Sequence, residues 1–394
     1  MSMSFASSSE WLHIHRFLTR TTFALVATFS WVLIFHYWFI VLLDPSQALV
    51  RTALLYALSQ VIVLAVTPYS ASILRLGLRR GMIYGILFAS VGFACLAGTF
   101  ESIIQGVLPV IGFLAFVICF GLYRALYWVP YTAEKKSTRA GRLPLWYELP
   151  IILMPILGGL IIVMSDFSPT WLLYGASALL VVSVLPLLGV KEKEEIFPWQ
   201  HTHTFGWLFD HARRFQLRIS FLEGMQSAAI LFLWPIAVLL LVGFSYPTLG
   251  VVLSLTSLVV LLTRPRMRTW FSRFPFGDSP MFHAAVTFSA WMVRMVIVNP
   301  FSIVVVDSYY RIGAPTHHGA DFLAQEHAAD AGVYIDENSA LKEMGFALGR
   351  ITMALVVAMV AITSTISTAL VCAFLVAALA GVTSVFVVHH ESAI

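Results

Sequence analysis

From Thr21 to Leu43 the chain runs 23 residues without a single Asp, Glu, Lys or Arg. About 20 apolar residues are enough to cross the hydrocarbon layer of a bilayer, and this run is only the first of its kind. Twelve apolar segments follow one another, at about 21–43, 52–74, 81–99, 106–131, 145–165, 170–189, 219–242, 246–263, 281–298, 299–314, 344–366 and 368–389. Lipid offers backbone groups no partner, so each segment must bond internally as a helix. The ninth and tenth segments are the shortest pair. They share 34 residues divided at Asn299-Pro300, where proline pushes the preceding residue out of helix. One unbroken span over the same residues would be about 51 Å long, against a hydrocarbon layer of about 30 Å.

Composition leaves little room for another class. Of 394 residues, 59% are hydrophobic and 11% charged, where a soluble domain carries about 25% charge. That excludes a soluble enzyme, a secreted disulfide scaffold and a disordered chain. Cys95, Cys119 and Cys372 all fall in apolar runs, which fits neither a disulfide framework nor a zinc site. The first apolar run is too long for the core of a cleaved signal peptide and ends at Asp44-Pro45. The net charge of +4 is not gathered into a basic stripe with aromatics, so no nucleic-acid partner is expected. No cofactor and no metal is expected.

Lys and Arg set the expected orientation. If the N-terminus is cytoplasmic, 20 of the 24 basic residues fall in inner loops and tails, Arg51 alone falls in an outer loop, and Arg124, Arg294 and Arg350 lie within spans. That bias places both termini in the cytoplasm, most naturally at a plasma (inner) membrane. The longest connection between spans, 191–218, follows the sixth segment. The chain then divides into a six-helix half over 1–190, this central cytoplasmic loop, and a second six-helix half over 219–394. Phe197-Pro198-Trp199 and Phe205-Gly206-Trp207 within the loop suit a helix lying at headgroup depth.

Weak internal repetition links the halves. Basic loops follow the second segment (Arg75, Arg79, Arg80) and the eighth (Arg264, Arg266, Arg268). Leu122-Tyr123-Arg124 corresponds to Tyr309-Tyr310-Arg311 at an offset of 187, and Trp146-Tyr147-Glu148-Leu149 to Leu341-Lys342-Glu343-Met344 at an offset of 195. Repeats of this kind are common in transporters.

An all-α membrane protein of twelve helices in two halves, with both termini inside, resembles the major facilitator superfamily of secondary transporters. Two motifs add to the resemblance. The family signature between its second and third helices is matched here by Arg75, Gly77 and Arg79, with Ser70 in place of its first Gly and Leu74 in place of its Asp. The fifth-helix Gly-Pro-x-x-Gly-Gly turn is matched by Pro155, Gly158 and Gly159, with Met154 in place of the first Gly. The resemblance implies a monomer that moves a small-molecule solute by rocking two halves about a central site, coupled to protons or Na+. It names no substrate, and the loss of the Asp at Leu74 weakens the usual contact with the opposite half.

Ionisable groups inside spans are expensive and therefore functional candidates, each with a structural alternative. Asp307 is a candidate proton or cation site, or a carboxylate paired with Arg294 or Arg311. Arg294 suits an anionic substrate, or reaches the outer interface along its own stem. Glu223 is a coupling carboxylate, or a charge favoured near a helix N-terminus. His36 contacts substrate, or packs among aromatics. Arg124 with Glu148, and Arg311 with Glu343, are expected as inner-end ion pairs forming a gate or a staple, with Arg350 on the Glu343 face. His317, His318, Asp321, Glu326, His327 and Asp330 share one loop but lack the spacing of a metal motif. Besides transport, two other functions fit such a chain: a sensor or assembly partner that moves nothing, and a membrane enzyme acting on lipid.

Overall fold

The computed structural model describes residues 7–73, 77–104, 109–137, 145–165, 168–192, 201–271, 273, 279–313 and 335–391. A short 3-10 turn over His211–Arg213 and thirteen helices account for the regular structure among them. They are α1 Ser8–Leu42, α2 Pro45–Ile73, α3 Leu78–Ile104, α4 Val110–Ser137, α5 Leu145–Met164, α6 Thr170–Leu187, α7 His201–Leu208, α8 Arg214–Leu241, α9 Tyr246–Phe271, α10 Pro280–Arg294, α11 Pro300–Gly313, α12 Ile335–Thr363 and α13 Ile366–Glu391. Ten of these, all but α7, α10 and α11, are long and apolar enough to cross a membrane. The chain is an integral, multi-pass membrane protein.

The two short helices sit where the sequence places its break. α10 has 15 residues and α11 has 14, roughly 22 Å each, with non-helical backbone over 295–299. The Asn299 side chain caps α11, accepting from the Ser302 amide and hydroxyl at 2.8 Å each. Pro300 follows in the first helical position, where its missing N–H is not needed. Several other helices outrun their apolar segments. α1 starts at Ser8 on a capping box between Ser7 and Glu10. α4 continues to Ser137 and α12 begins at Ile335, because polar residues prolong a helix once it is begun.

The first six helices pack among themselves, chiefly α3 on α4 and α6, α2 on α4, and α1 on α2, α5 and α6. In the second group α8 lies on α12 and α13, α10 on α13, and α11 on α9 and α10. Two long seams join the groups, α2 along α12 and α5 along α9. The start of α1 and the end of α13 lie at one end of the bundle. The Lys191 amide meets Ser8 there, and Val387 and Val388 of α13 pack on Ile219 and Phe346. α7 lies at this same end. Its Phe205 and Leu208 pack with Leu64, Leu341 and Met344, and the Arg213 guanidinium lies over the Trp207 ring. Phe197-Pro198-Trp199 lies outside the described residues.

Candidate functional site

Pro235 organises one site from a distance. It has no N–H and its ring crowds the preceding turn, so α8 widens into a π-helical turn over Ala229–Leu233 just before it. That widened turn presents Trp234 to α11. The Trp234 indole N–H donates to Asp307 Oδ2 at 2.8 Å. The other carboxylate oxygen, Oδ1, accepts from Arg294 Nη2 at 2.7 Å and Nε at 3.2 Å. The two charged side chains are only 2% and 3% exposed. Three rings surround the guanidinium, with centroids 4.3 Å (Trp291), 4.8 Å (Tyr310) and 5.0 Å (Trp234) from Arg294 Cζ. Arg294 Nη1 is buried with no hydrogen-bond partner among the described residues. Of the two partners expected for Asp307, the structure selects Arg294 and not Arg311. Arg294 therefore turns inward to an acid and not outward to the interface.

A second set of polar groups lies between the helix groups. Arg124 of α4, Arg350 of α12, Gln60 of α2 and Ser227 of α8 each fall within one residue of the midpoint of their helices. Arg350 is buried. Its Nε donates to Ser227 Oγ at 2.9 Å and its Nη1 to Gln60 Oε1 at 3.4 Å, so it spans from its own group to the other. Arg124 and Glu343 are within electrostatic range of Arg350. Arg124 Nε and Glu343 Oε2 are buried with no hydrogen-bond partner among the described residues.

The expected inner-end pairs are different in the structure. Glu148 is held by Arg20 of α1, Nη1 to Oε1 at 2.7 Å and Nη2 to Oε2 at 3.0 Å, and not by Arg124. The reason is the packing: α5 lies on α1 and α9, while α4 lies on α2 and α3. Arg311 is exposed and donates to Ser257 Oγ at 3.4 Å. It does not meet Glu343, because α11 packs on α9 and α10 while α12 packs on α2, α4 and α8. The extra turns of α4 and α12 also carry Arg124 and Glu343 deeper than the ends of their apolar segments suggest. The correspondence between Arg124 and Arg311 is therefore broken in space: one is at mid-helix, the other two residues from its helix end.

In the loop between α2 and α3, Arg75 lies outside the described residues. Gly77 has φ +117° with Glu192 packed against its Cα, a combination that leaves no room for a side chain. Arg79 Nε pairs with Glu192 Oε2 at 2.8 Å, and its Nη1 donates to the Val190 carbonyl at 3.2 Å. This basic residue is thus tied to the end of α6, in its own group. On α5, Gly158 abuts Phe29 and the Leu25 carbonyl of α1, Gly159 abuts the Tyr246 carbonyl of α9, and the Pro155 carbonyl abuts Gly250 of α9. Backbone touches backbone along this seam, as small residues permit between membrane helices. At the end of the bundle away from the termini, His36 Nδ1 contacts the Tyr246 hydroxyl and its ring stacks on Phe244 at 4.9 Å. Glu223 is half-buried on α8, one turn before Ser227 and within electrostatic range of Tyr310.

Sequence reasoning passed over several participants. Arg20 and Glu192 were hidden among loop charges, and Gln60 and Ser227 carry no charge to single them out. His15 is fully buried. Its Nδ1 donates to the Ser183 carbonyl at 2.7 Å, which leaves Nε2 to accept from the Tyr127 hydroxyl at 3.0 Å. Its position, a His near the start of a helix, gave no signal of this. Among the described residues no group of three or more His, Cys, Asp or Glu is placed to hold a metal ion. His317, His318, Asp321, Glu326, His327 and Asp330 lie outside those residues.

Solved structures share the fold of this chain over essentially its whole length. The crystal structure of the nucleoside transporter NupG matches with a TM-score of 0.56 at 16% identity, covering 98% of this chain and 99% of that one. A mutant of NupG matches with a TM-score of 0.60 at the same identity. A variant of the E. coli fucose:proton symporter FucP matches with a TM-score of 0.56 at 14% identity, covering 97% and 98%. No family model and no curated protein matches the sequence. The all-helical, multi-spanning membrane fold expected from the resemblance to the major facilitator superfamily is in keeping with these transporter structures.

Proposed function

We propose that this protein is a secondary transporter that moves a small solute across the plasma membrane by alternating access. In this reading residues 1–190 and 219–394 rock as two six-helix halves joined by 191–218. α10 and α11 each cross the bilayer, making twelve spans, and both termini are cytoplasmic. The protein works as a monomer. The full-length likeness in fold to a nucleoside transporter and a fucose:proton symporter supports transport over a lipid-modifying enzyme. The bias of 20 of 24 basic residues to one side supports the orientation.

The Arg294–Asp307 pair is the observation that carries the coupled reading. A salt bridge sealed from water in a membrane protein is costly to build and is worth keeping where a proton or cation must be taken up. A proton on Asp307 Oδ1 would neutralise the carboxylate, break the ion pair and leave Arg294 as a net positive charge among its aromatic neighbours. Protons are thus the expected coupling ion, with Na+ the other candidate. His36, against Tyr246 and Phe244, would close the end opposite the termini. Glu223 would respond electrostatically to the Tyr310 side of the charged pair. Pro155, Gly158 and Gly159 would form a sliding seam, and Arg79 with Gly77 would brace α3 to the end of α6.

The experiment is gradient-driven uptake in reconstituted vesicles. Accumulation of a labelled solute under an imposed pH gradient, lost in Asp307→Asn, is the expected result. Turnover of a lipid in detergent without a gradient would mark an enzyme. Neither turnover nor movement would mark a sensor or assembly protein.

A further inference from the structure

α9 is longer than its apolar segment. That segment ends at Thr263, and beyond it come Arg264, Arg266, Arg268 and Arg273, four arginines within ten residues. The first turn of α9 meets His36 at the end of the bundle away from the termini, so the basic end lies on the side of the termini. Val251, Leu255 and Leu262 are exposed at 38%, 43% and 59%. Their spacing of four and seven residues puts them on one face of the helix, while Leu249, Val252 and Thr256 are buried towards the bundle. Apolar side chains exposed on a membrane helix meet acyl chains, which are as apolar as leucine. Arg266 continues the same face one turn past Leu262, about 6 Å along the axis. Its guanidinium therefore stands where acyl chains give way to headgroups.

A cavity of about 600 Å³ opens at this level, lined by Arg266, Met267, Thr269, Trp270 and Arg273. All five residues are exposed. Local backbone builds the wall. The Arg273 amide donates to the Trp270 carbonyl at 3.1 Å, which turns the chain back at the helix end and keeps Arg273 near Trp270. Two guanidiniums and no acid stand among these lining residues, so the cavity favours an anion. A planar guanidinium fits the forked oxygens of a phosphate. The indole and the thioether add an apolar side, and tryptophan is the residue that membrane proteins place at headgroup depth. The volume is in the range of small-ligand sites, about 300–1,000 Å³. A free phosphate would use the arginines alone, whereas a lipid also uses the apolar face that leads up to them.

We propose that this cavity is a binding site for an anionic phospholipid of the leaflet on the side of the chain termini. Arg266 and Arg273 hold the phosphate, Trp270 lies against the glycerol region, and one acyl chain runs along Leu262, Leu255 and Val251. The site needs only that α9 lies in a membrane, so it stands apart from transport and from the proposed orientation. The lipid anchors one end of α9. The other end of that helix carries the close seam with α5, where Gly159 and Gly250 meet backbone. An anionic lipid thus bears on the helix through which the two groups touch.

The test is quenching of Trp270 fluorescence in the full-length protein, reconstituted in vesicles of phosphatidylcholine and phosphatidylglycerol with bromine on the chains of one lipid or the other. Each protein is compared with its own Trp270→Phe counterpart, and the difference is the signal of Trp270. Phosphatidylglycerol is expected to occupy the site in preference to phosphatidylcholine by about tenfold or more, the combined effect of two arginines near a membrane surface. Arg266→Gln with Arg273→Gln is expected to bring that preference close to one. Arg80→Gln with Lys191→Gln, which removes the same charge from other exposed positions, is expected to leave it unchanged. Glycerol phosphate in the buffer is expected to displace nothing. All the substituted side chains are exposed, and an unchanged Tm reports that each variant folds. Equal quenching by the two lipids would overturn the site, as would an equal loss in both double variants, which marks diffuse surface attraction. Displacement by glycerol phosphate would overturn it in favour of a free phosphate.

Discussion

The Arg20 guanidinium holds both oxygens of Glu148, at 2.7 and 3.0 Å, and so fastens the start of α5 to α1. The two side chains are 39% and 25% exposed, which limits their mutual contribution to stability to about 1 kcal/mol. A double-mutant cycle of Arg20→Gln and Glu148→Gln, read by thermal melting, is expected to show a coupling of that size. The same cycle between Arg124 and Glu148 is expected to give none, because α4 does not bring the two together.

Asp307 and Arg294 should behave in the opposite way when separated and when replaced together. Removing one partner of a buried pair costs about 3–5 kcal/mol, whereas exchanging both for apolar residues is often neutral. Arg294→Ala and Asp307→Ala are each expected to lower the Tm and yield sharply. Arg294→Met combined with Asp307→Leu is expected to melt near the unmodified protein and to lose gradient-driven uptake. A double variant that still accumulates solute would separate this pair from coupling.

At Gly77 a side chain would meet two obstacles, a left-handed backbone and the Glu192 carboxylate. The backbone term alone is about 1–2 kcal/mol. Gly77→Ala is expected to melt lower than Gly77→Ala combined with Glu192→Ala, since the second change removes the steric part and leaves the backbone part.

Along the seam of α5 with α9, Gly159 and Gly250 face backbone carbonyls that cannot move aside like a side chain. Overpacking of this kind costs about 1–3 kcal/mol. Gly159→Val is expected to lower the Tm and to slow uptake, whereas Gly175→Val, where nothing lies within 4 Å, is expected to change neither.

Topology has its own measurement. Single cysteines placed in the 191–218 connection should remain unlabelled by impermeant reagents added to intact cells and should react once the membrane is opened. Labelling from outside would reverse the orientation proposed from the basic residues.

What could be read in advance depended on whether the cause was local. The break between α10 and α11 was legible because Asn299-Pro300 encodes it twice, as a cap and as a first-turn proline. Asp307 was legible because one charge in an apolar run is conspicuous. Its choice of Arg294 over Arg311 was not, since it depends on how α10 folds back. Pairings across helices failed more widely. The apparent repeat points Glu148 to Arg124, but helix packing gives it Arg20. The same repeat put Arg311 opposite Glu343, on helices that face different neighbours. Apolar runs understate the helices wherever polar residues carry a helix further, as in α1, α4 and α12, and this places Arg124 and Glu343 deeper along their helices than the runs suggest.

The wide turn ahead of Pro235 makes α8 a rod with an adjustable joint. An α-helix advances about 100° per residue, and a π turn holds one residue more than its neighbours. Should that surplus residue be absorbed into ordinary helix, everything on one side of the joint would rotate by about that angle against the other. Trp234 stands at the joint and donates to Asp307. Its indole would then turn away from the carboxylate while the rest of α8 kept its hydrogen bonds. In the coupled reading proposed for Asp307, loss of that hydrogen bond and a turn of α8 about its own axis would go together.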